Sequence, residues 1–398
     1  MIMQYRVIHE YEAREFINIV ATAFYYNPEP ELSDLEAGRL RYDYIRAAFT
    51  ESGEMAAAMM LYPFDAFLDG HVVGMGGIGN VACLPQFRRQ GLIRGLFGDA
   101  FSHMRSEGYA LSYLYPFSHP YYRKFNYELC CSFTKITADP EDLVAFCQPG
   151  HTERFQTGDE GTDPEDIINI YNQFASRNNL MLDRDGWWWE LKLEKDPLKA
   201  RQHIYIWYDE EHHPKAYVIY NYDLKEHTAT LNVTDIAWTD YKGMYSILGF
   251  LGKLGGNVES ITMSVPSEMV YEYFWREPYN VTASRQPGGM CRIIDAGQVL
   301  EVIEKPEKAG SVVLKLHDEM IAENNGTFEI AWGRDGTNVT RTSAECDLEC
   351  SIEALAQMAT GYVPFKFAAS RRDVVVSAKF KQLEALFPKK NVFISDYF

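Results

Sequence analysis

Apolar residues recur along the chain with two periods, and the alternation between them marks out the elements. Phe16, Ile17, Val20 and Phe24 fall on one face of a helix over Tyr11–Phe24. A second helical face, Leu92, Leu96, Phe97, Ala100, Phe101 and Met104, predicts a helix reaching about Ser106. Strand-like runs occupy residues 5–9, Met55–Phe64, His71–Leu84, Ala110–Tyr115 and Glu128–Ile136, with Leu68-Asp69-Gly70 as a turn. Asn27-Pro28-Glu29-Pro30 breaks the chain before a further helix expected over Leu32–Phe49, and Tyr121–Phe125 reads as a tight helical turn. Strands and helices in this order form a mixed α/β sheet with helices on both faces. The first unit ends near 145–155, where Pro149-Gly150 and the polar stretch Thr157–Pro164 mark a boundary.

The order then roughly repeats. A helix over Pro164–Phe174 and the triplet Trp187-Trp188-Trp189 precede strands at His203–Asp209, Lys215–Tyr222 and Thr228–Ala237. A helix at Tyr241–Leu254 and a strand at Ser260–Val265 follow. The triplet reads as core and interdomain packing. A third unit begins near Met290, with strands Cys291–Ile294, Ser311–His317, Gly326–Trp332, Asn338–Thr342 and Ala344–Ser351, then helices Ile352–Thr360 and Val374–Phe387. The chain closes on Phe393-Ile394-Ser395-Asp396-Tyr397-Phe398, and so apolar a terminus predicts a packed tail rather than a frayed one.

The 398 residues are too many for one core, which agrees with several units. A net charge of −18 disfavours nucleic acid and favours cationic ligands, although solubility alone would explain it. Seven cysteines without CxxC spacing read as free thiols of a cytoplasmic protein, and no metal-ligand grouping stands out. His212-His213 reads as a solvated turn. Neither a signal peptide nor a membrane-length apolar run is present in the sequence.

One segment carries candidate chemistry. In Val81-Ala82-Cys83-Leu84-Pro85-Gln86-Phe87-Arg88-Arg89-Gln90-Gly91-Leu92-Ile93, a strand ends at a proline and a basic loop leads through a glycine into a helix. Unpaired N–H groups and two arginines at a helix start suit a pyrophosphate. The second unit's Thr239-Asp240-Tyr241-Lys242-Gly243 has one cation and places an acid where phosphate would lie, so it reads as a copy that packs rather than binds.

Arg88-Arg89-Gln90-Gly91 approximates the [Q/R]-x-x-G-x-[G/A] loop of the GNAT acyltransferases, with Ile93 in place of the usual small residue. With Tyr122-Arg123-Lys124-Phe125-Asn126-Tyr127 and a terminal Phe398, the chain resembles, over its full length, the enhanced intracellular survival acetyltransferases of that superfamily. The resemblance implies tandem GNAT folds, the second degenerate, and a C-terminal sterol-carrier-like domain. The implied bounds are 1–150, 151–289 and 290–398. It implies acetyl-CoA as cofactor, held by Val81, Ala82 and Cys83 along the strand, by Arg88, Arg89, Gln90, Gly91, Leu92 and Ile93 in the loop, and by Ser118.

By the same resemblance Tyr122 is the general acid and the α-carboxylate of Phe398 the base, with His119 as base left open. Arg123-Lys124 stands where the family often has Gly-Arg. A phenol of pKa ~10 can protonate a thiolate of conjugate pKa ~8.5 when held beside it, and a carboxylate of pKa ~3.5 must act by orientation or desolvation. Phe24, Tyr26, Glu36, His119 and Asp396 are the expected substrate residues. Tyr26 and Glu36 stand where relatives that take aminoglycosides carry an acid and a tryptophan, so aminoglycosides, polyamines and lysine side chains all stay open. A homo-oligomer, trimer or hexamer, is implied. A lipid carrier with a vestigial enzyme fold and a protein-lysine acetyltransferase are the competing readings.

Overall fold

The computed structural model describes residues 4–36, 38, 40–156, 164–193, 202–225, 227–269, 275 and 277–398. Apart from Pro164, the boundary stretch Thr157–Pro164 lies outside the described residues. Among the described residues the strands form three sheets. The first follows the order β1 (Gln4–Val7), β2 (Ile45–Phe49), β3 (Met55–Leu68), β4 (His71–Cys83), β5 (Leu111–Leu114), β15 (Met290–Ile293) and β6 (Glu128–Leu129), and β9 (Leu182–Asp183) pairs with β3. The second runs β14 (Thr282–Pro287), β7 (Ser132–Ala138), β13 (Val258–Pro266), β12 (Ala229–Trp238), β11 (Pro214–Leu224), β10 (Gln202–Tyr208) and β8 (His151–Phe155). The third is β18 (Gly336–Arg341), β17 (Gly326–Gly333), β16 (Gly310–His317), β19 (Leu348–Ser351) and β20 (Val374–Val376).

The first two sheets exchange strands. β7 leaves β6 and pairs with β13 and β14 of the second sheet, while β15 returns and pairs with β5 and β6 of the first. The closing strand expected over Glu128–Ile136 is therefore two strands in two sheets. The strand expected to open the third unit belongs to the first sheet. Each sheet thus completes itself with a strand from the other, which ties the two units into one body.

Two helices also differ from expectation. The chain over Leu32–Phe49 is a helix only to Glu36 and then becomes β2. Its Ala47 and Ala48 suggest helix, but β2 lies buried between β1 and β3, and the ladder on both sides outweighs propensity. Val374–Val376 is strand, and the last helix is Phe380–Leu386. Its partner Leu348–Cys350 supplies hydrogen bonds that the sequence cannot show.

The helix Leu92–Ser106 forms as its spacing predicts, burying Leu92, Leu96, Phe97, Ala100, Phe101 and Met104. A continuous apolar core runs from β3, β4 and β5 into the third sheet and the helix Ile352–Ala359. The buried Arg292 of β15 reinforces this contact, donating to Asp318 of the third unit at 2.8 and 2.9 Å. No described helix is long and apolar enough to cross a membrane.

Candidate active site

The site begins where β4 leaves β5. The two strands pair in parallel from Met75↔Leu111 to Ile78↔Leu114, and β5 stops there while β4 continues to Cys83. A bulge lies at the divergence: the β3 register shifts between Ala58↔Ala82 and Met60↔Gly79, and Asn80 sits at φ +51°. Asparagine tolerates the left-handed conformation, and a bulge bends its strand away from a neighbour. The backbone of residues 79–83 is thus left without a β5 partner.

β4 leads into the basic loop. Arg88 folds back, its Nε donating to the Cys83 carbonyl at 3.3 Å, and Arg89 is exposed at φ +62°. Gly91 is the N-cap of the helix Leu92–Ser106 at φ +83°, with nothing within 4 Å of where a Cβ would stand and no side-chain cap. The first N–H groups of this helix are thus left without a side-chain cap. Gln90 is exposed and folds along the loop, its Nε2 donating to the Gln86 carbonyl at 3.1 Å. Leu92 and, in part, Val81, Cys83 and Ile93 pack in the cluster that holds Tyr121 and Tyr122, whereas Ala82 points to the opposite core. Burial raises the Cys83 thiol above its usual range against the opposing charge of Arg88, so it stays protonated and is a poor nucleophile.

Tyr122 ends the helix His119–Tyr122 and is 4% exposed, edge-on to Phe97 at 6.2 Å and Phe117 at 5.4 Å. Burial, with Tyr121 adding, raises its phenol above the ordinary value, which keeps the proton on at any physiological pH. Ser118 precedes this helix, its carbonyl accepting from Tyr121 and Tyr122 N–H. His119 Nε2 is buried without a hydrogen-bond partner among the described residues, a polar atom left for a ligand or water.

The C-terminus enters the same opening from the other side. A Cβ built on Gly79 would stand 3.6 Å from the Phe398 carboxyl carbon, so the bare backbone of β4 and the terminal carboxyl are in close approach. The Phe398 ring rests on Phe64 at 4.7 Å, Tyr115 at 5.7 Å and Tyr62 at 5.8 Å. Burial pushes the Tyr62 phenol up to about 12.

The expected substrate residues separate. Phe24 is half-exposed at the end of the helix Ala13–Phe24, and Tyr26 is raised to about 12 by burial and by Glu31. Glu36 is exposed and pairs with Arg14 at 3.4 Å. Asp396 does not contribute a carboxylate to a substrate pocket: it is fully buried, held by Arg184, Lys192 and Trp188 of the second unit. The sequence placed it near the site because it is two residues from the terminus, but its partner Arg184 lies 212 positions away.

Sequence reasoning also missed three carboxylates beside the aromatic group. β9 sets Asp183 opposite Asp65. Burial and then the charge of Asp185 raise Asp65, and burial and then Asp65 raise Asp183. Tyr44 lies 6.2 Å from Tyr62 and 6.0 Å from Trp187, with the Arg41 guanidinium 4.1 Å over it. β9 is a two-residue strand that no periodicity reveals. At the far edge, His151–Glu153–His212 and Asp209–Glu211–His213 each gather three ligating groups within 4.8 Å. Glu153 already hydrogen-bonds His151 at 3.0 Å, and Asp209 accepts from the N–H groups of Glu211 and His213 within its own turn.

A splayed fourth strand, a glycine-started helix and a buried tyrosine beside them define an acyl-transfer fold. Models of an acetyltransferase (GNAT) domain match residues 4–130 and 180–293, and a sterol carrier protein domain matches 297–395. The chain is an acetyltransferase with two GNAT domains and a sterol-carrier-like third domain.

Solved structures share the whole architecture. A GCN5-related N-acetyltransferase from Anabaena variabilis is 19% identical with a TM-score of 0.87. A conserved protein of unknown function from Enterococcus faecalis, a probable N-acyltransferase, is 22% identical with a TM-score of 0.87. Eis1 from Mycobacterium abscessus is 18% identical with a TM-score of 0.82. In all three cases 100% of each chain is covered. No curated protein matches the sequence significantly.

Proposed function

We propose that the chain is an acetyl-CoA-dependent N-acetyltransferase of the enhanced intracellular survival type, acting on an amine of a cationic substrate. The observation that carries this reading is the approach of the Phe398 carboxyl to Gly79, at the point where β4 diverges from β5. The residues present fit the cofactor. The uncapped helix start at Gly91, with Arg88 and Arg89, suits its pyrophosphate, and the unpaired edge around Val81 and Cys83 suits its amide-bearing arm. Bound acetyl-CoA supplies an activated acetyl thioester.

The chain's own groups do the proton work. The Phe398 carboxylate accepts one proton of the incoming ammonium, Tyr122 Oη gives its proton to the departing sulfur, and the second proton that the nitrogen sheds as it is acylated restores the Tyr122 hydroxyl. The carboxylate is weak in water, and its ring's seat among Phe64, Tyr62 and Tyr115 fixes its orientation in a partly dry cleft. The half-buried Cys83 thiol takes no covalent part, and transfer is direct. Asp65, Asp183 and Asp185, beside Tyr44 and Trp187, favour a cationic substrate, as does the net charge of −18. The same reading places the protein in the cytoplasm as a trimer or hexamer.

The test is acetylation of an amine panel containing spermine, an aminoglycoside and a lysine peptide, with products identified by mass spectrometry. Acetyl transfer to at least one cationic amine is expected. No product and no acetyl-CoA binding by calorimetry would end the reading.

A further inference from the structure

The tail reaches the first unit's site by way of the second unit. Phe393 sits in the second unit's core, and its N–H donates to the Asn179 carbonyl at 3.1 Å. Residues 393–397 then run along the divergence of β12 and β13. These strands pair only from Ala229↔Val258 to Asn232↔Thr262 and then separate around a cavity of about 220 Å³. Tyr115, Val233, Asp235, Ser264 and the tail line it.

At Asp396 the packing becomes ionic. Arg184 Nε lies 3.1 and 3.0 Å from the two carboxylate oxygens, Lys192 Nζ 2.9 Å from one of them, and Trp188 Nε1 donates at 2.8 Å. The Tyr171 hydroxyl donates to the other oxygen at 3.3 Å. Arg184 Nη1 is held by Asp235 at 2.7 Å, and its Nη2 donates to Ser395 Oγ at 3.1 Å. The guanidinium lies 3.8 Å over the Tyr171 ring. From the first unit, the Tyr115 hydroxyl donates to the Asp396 carbonyl.

Burying such charges costs desolvation that apolar packing would avoid, so affinity for the tail does not explain them. They fix register. A slip by one residue would set Ser395 or Tyr397 in the place of Asp396 and leave Arg184, Lys192 and Trp188 without its carboxylate. Two residues separate Asp396 from the carboxyl, and two residues reach at most about 7 Å, so fixing Asp396 confines the carboxylate.

We infer that Arg184 and Asp396 are positioning residues, and that the second acetyltransferase unit clamps the C-terminal tail so that the terminal carboxylate stands in the first unit's cleft. The catalytic consequence rests on the base role proposed for Phe398. The clamp itself does not.

Timed digestion with a carboxypeptidase, following release of Phe398, tests the clamp without any substrate. Asp396→Asn leaves Arg184 paired with Asp235, and Trp188→Phe removes a single donor and serves if the first variant does not fold. Circular dichroism checks folding. Either folded variant is expected to lose Phe398 about tenfold faster than the wild type. On the amine found by the panel, kcat is expected to fall about tenfold with KM for acetyl-CoA unchanged, because misplacing a reacting group affects the transition state. Unchanged release from a folded variant overturns the clamp. Faster release with full turnover supports the clamp and overturns the base role of Phe398.

Discussion

The two acetyltransferase units share a strand–loop–helix and differ at the features a ligand would use. In both, the fourth strand bulges where it parts from the fifth. The first has Asn80 at the shift, and the second shifts between Ile219↔Asp235 and Tyr220↔Val233. In the first unit, the following helix starts at Gly91 with no cap. In the second, Asp240 caps the helix Tyr241–Gly252, its carboxylate accepting from Gly243 N–H at 2.8 Å. Phe398 reaches the first cleft, and residues 393–397 line the second. The second unit thus supplies its own anion at the helix start, and the third unit's tail lies along its diverging strands.

The comparison breaks first at Tyr122. Tyr122→Phe is expected to lower kcat by about 10²–10⁴-fold while leaving KM for acetyl-CoA unchanged, measured by free-thiol release. Unchanged turnover removes this tyrosine from the chemistry. Giving the first unit the second unit's cap is the next largest change. Gly91→Asp puts a carboxylate where phosphate would lie and a side chain at φ +83°, and should raise KM for acetyl-CoA about tenfold. The mirror change, Asp240→Ala, should cost about 1 kcal/mol of stability in chemical denaturation and leave KM untouched. If the two substitutions act alike on KM, the units are not distinguished as described.

The pH dependence sharpens the same contrast. A raised Tyr122 phenol stays protonated through its ordinary value of about 10, so turnover should show no alkaline loss from this group between about pH 7 and 10. For Asp396, burial alone would raise the carboxyl, but Arg184 and Lys192 outweigh it and hold the group well below the usual range. A depressed folded value contributes stability that is complete above the unfolded value of about 3.9 and is lost as pH falls below it. Acid denaturation of the wild type should therefore steepen below about pH 4, and Asp396→Asn should flatten that limb.

Where the signal was local, the sequence showed it. The helix Leu92–Ser106 follows from six apolar positions, and the basic loop with its glycine follows from neighbouring residues. The aromatic terminus announced a packed tail. What stayed hidden was non-local. The exchange of β7 and β15 requires knowing which sheet each strand joins, and neither strand's own pattern carries that. β2 read as helix because its alanines favour one, and only its two neighbours overrule them. Asp396 read as substrate-facing because Arg184 is remote in the chain. The three carboxylates at Asp65, Asp183 and Asp185 meet only through the short strand β9.

The central claim is that the end of the third domain completes the first domain's site, and one added residue tests it. A single glycine appended after Phe398 moves the carboxylate while leaving every existing side chain in place. Turnover of the amine identified by the panel should fall about a hundredfold, with KM for acetyl-CoA unchanged. Full turnover by the extended chain would contradict the account.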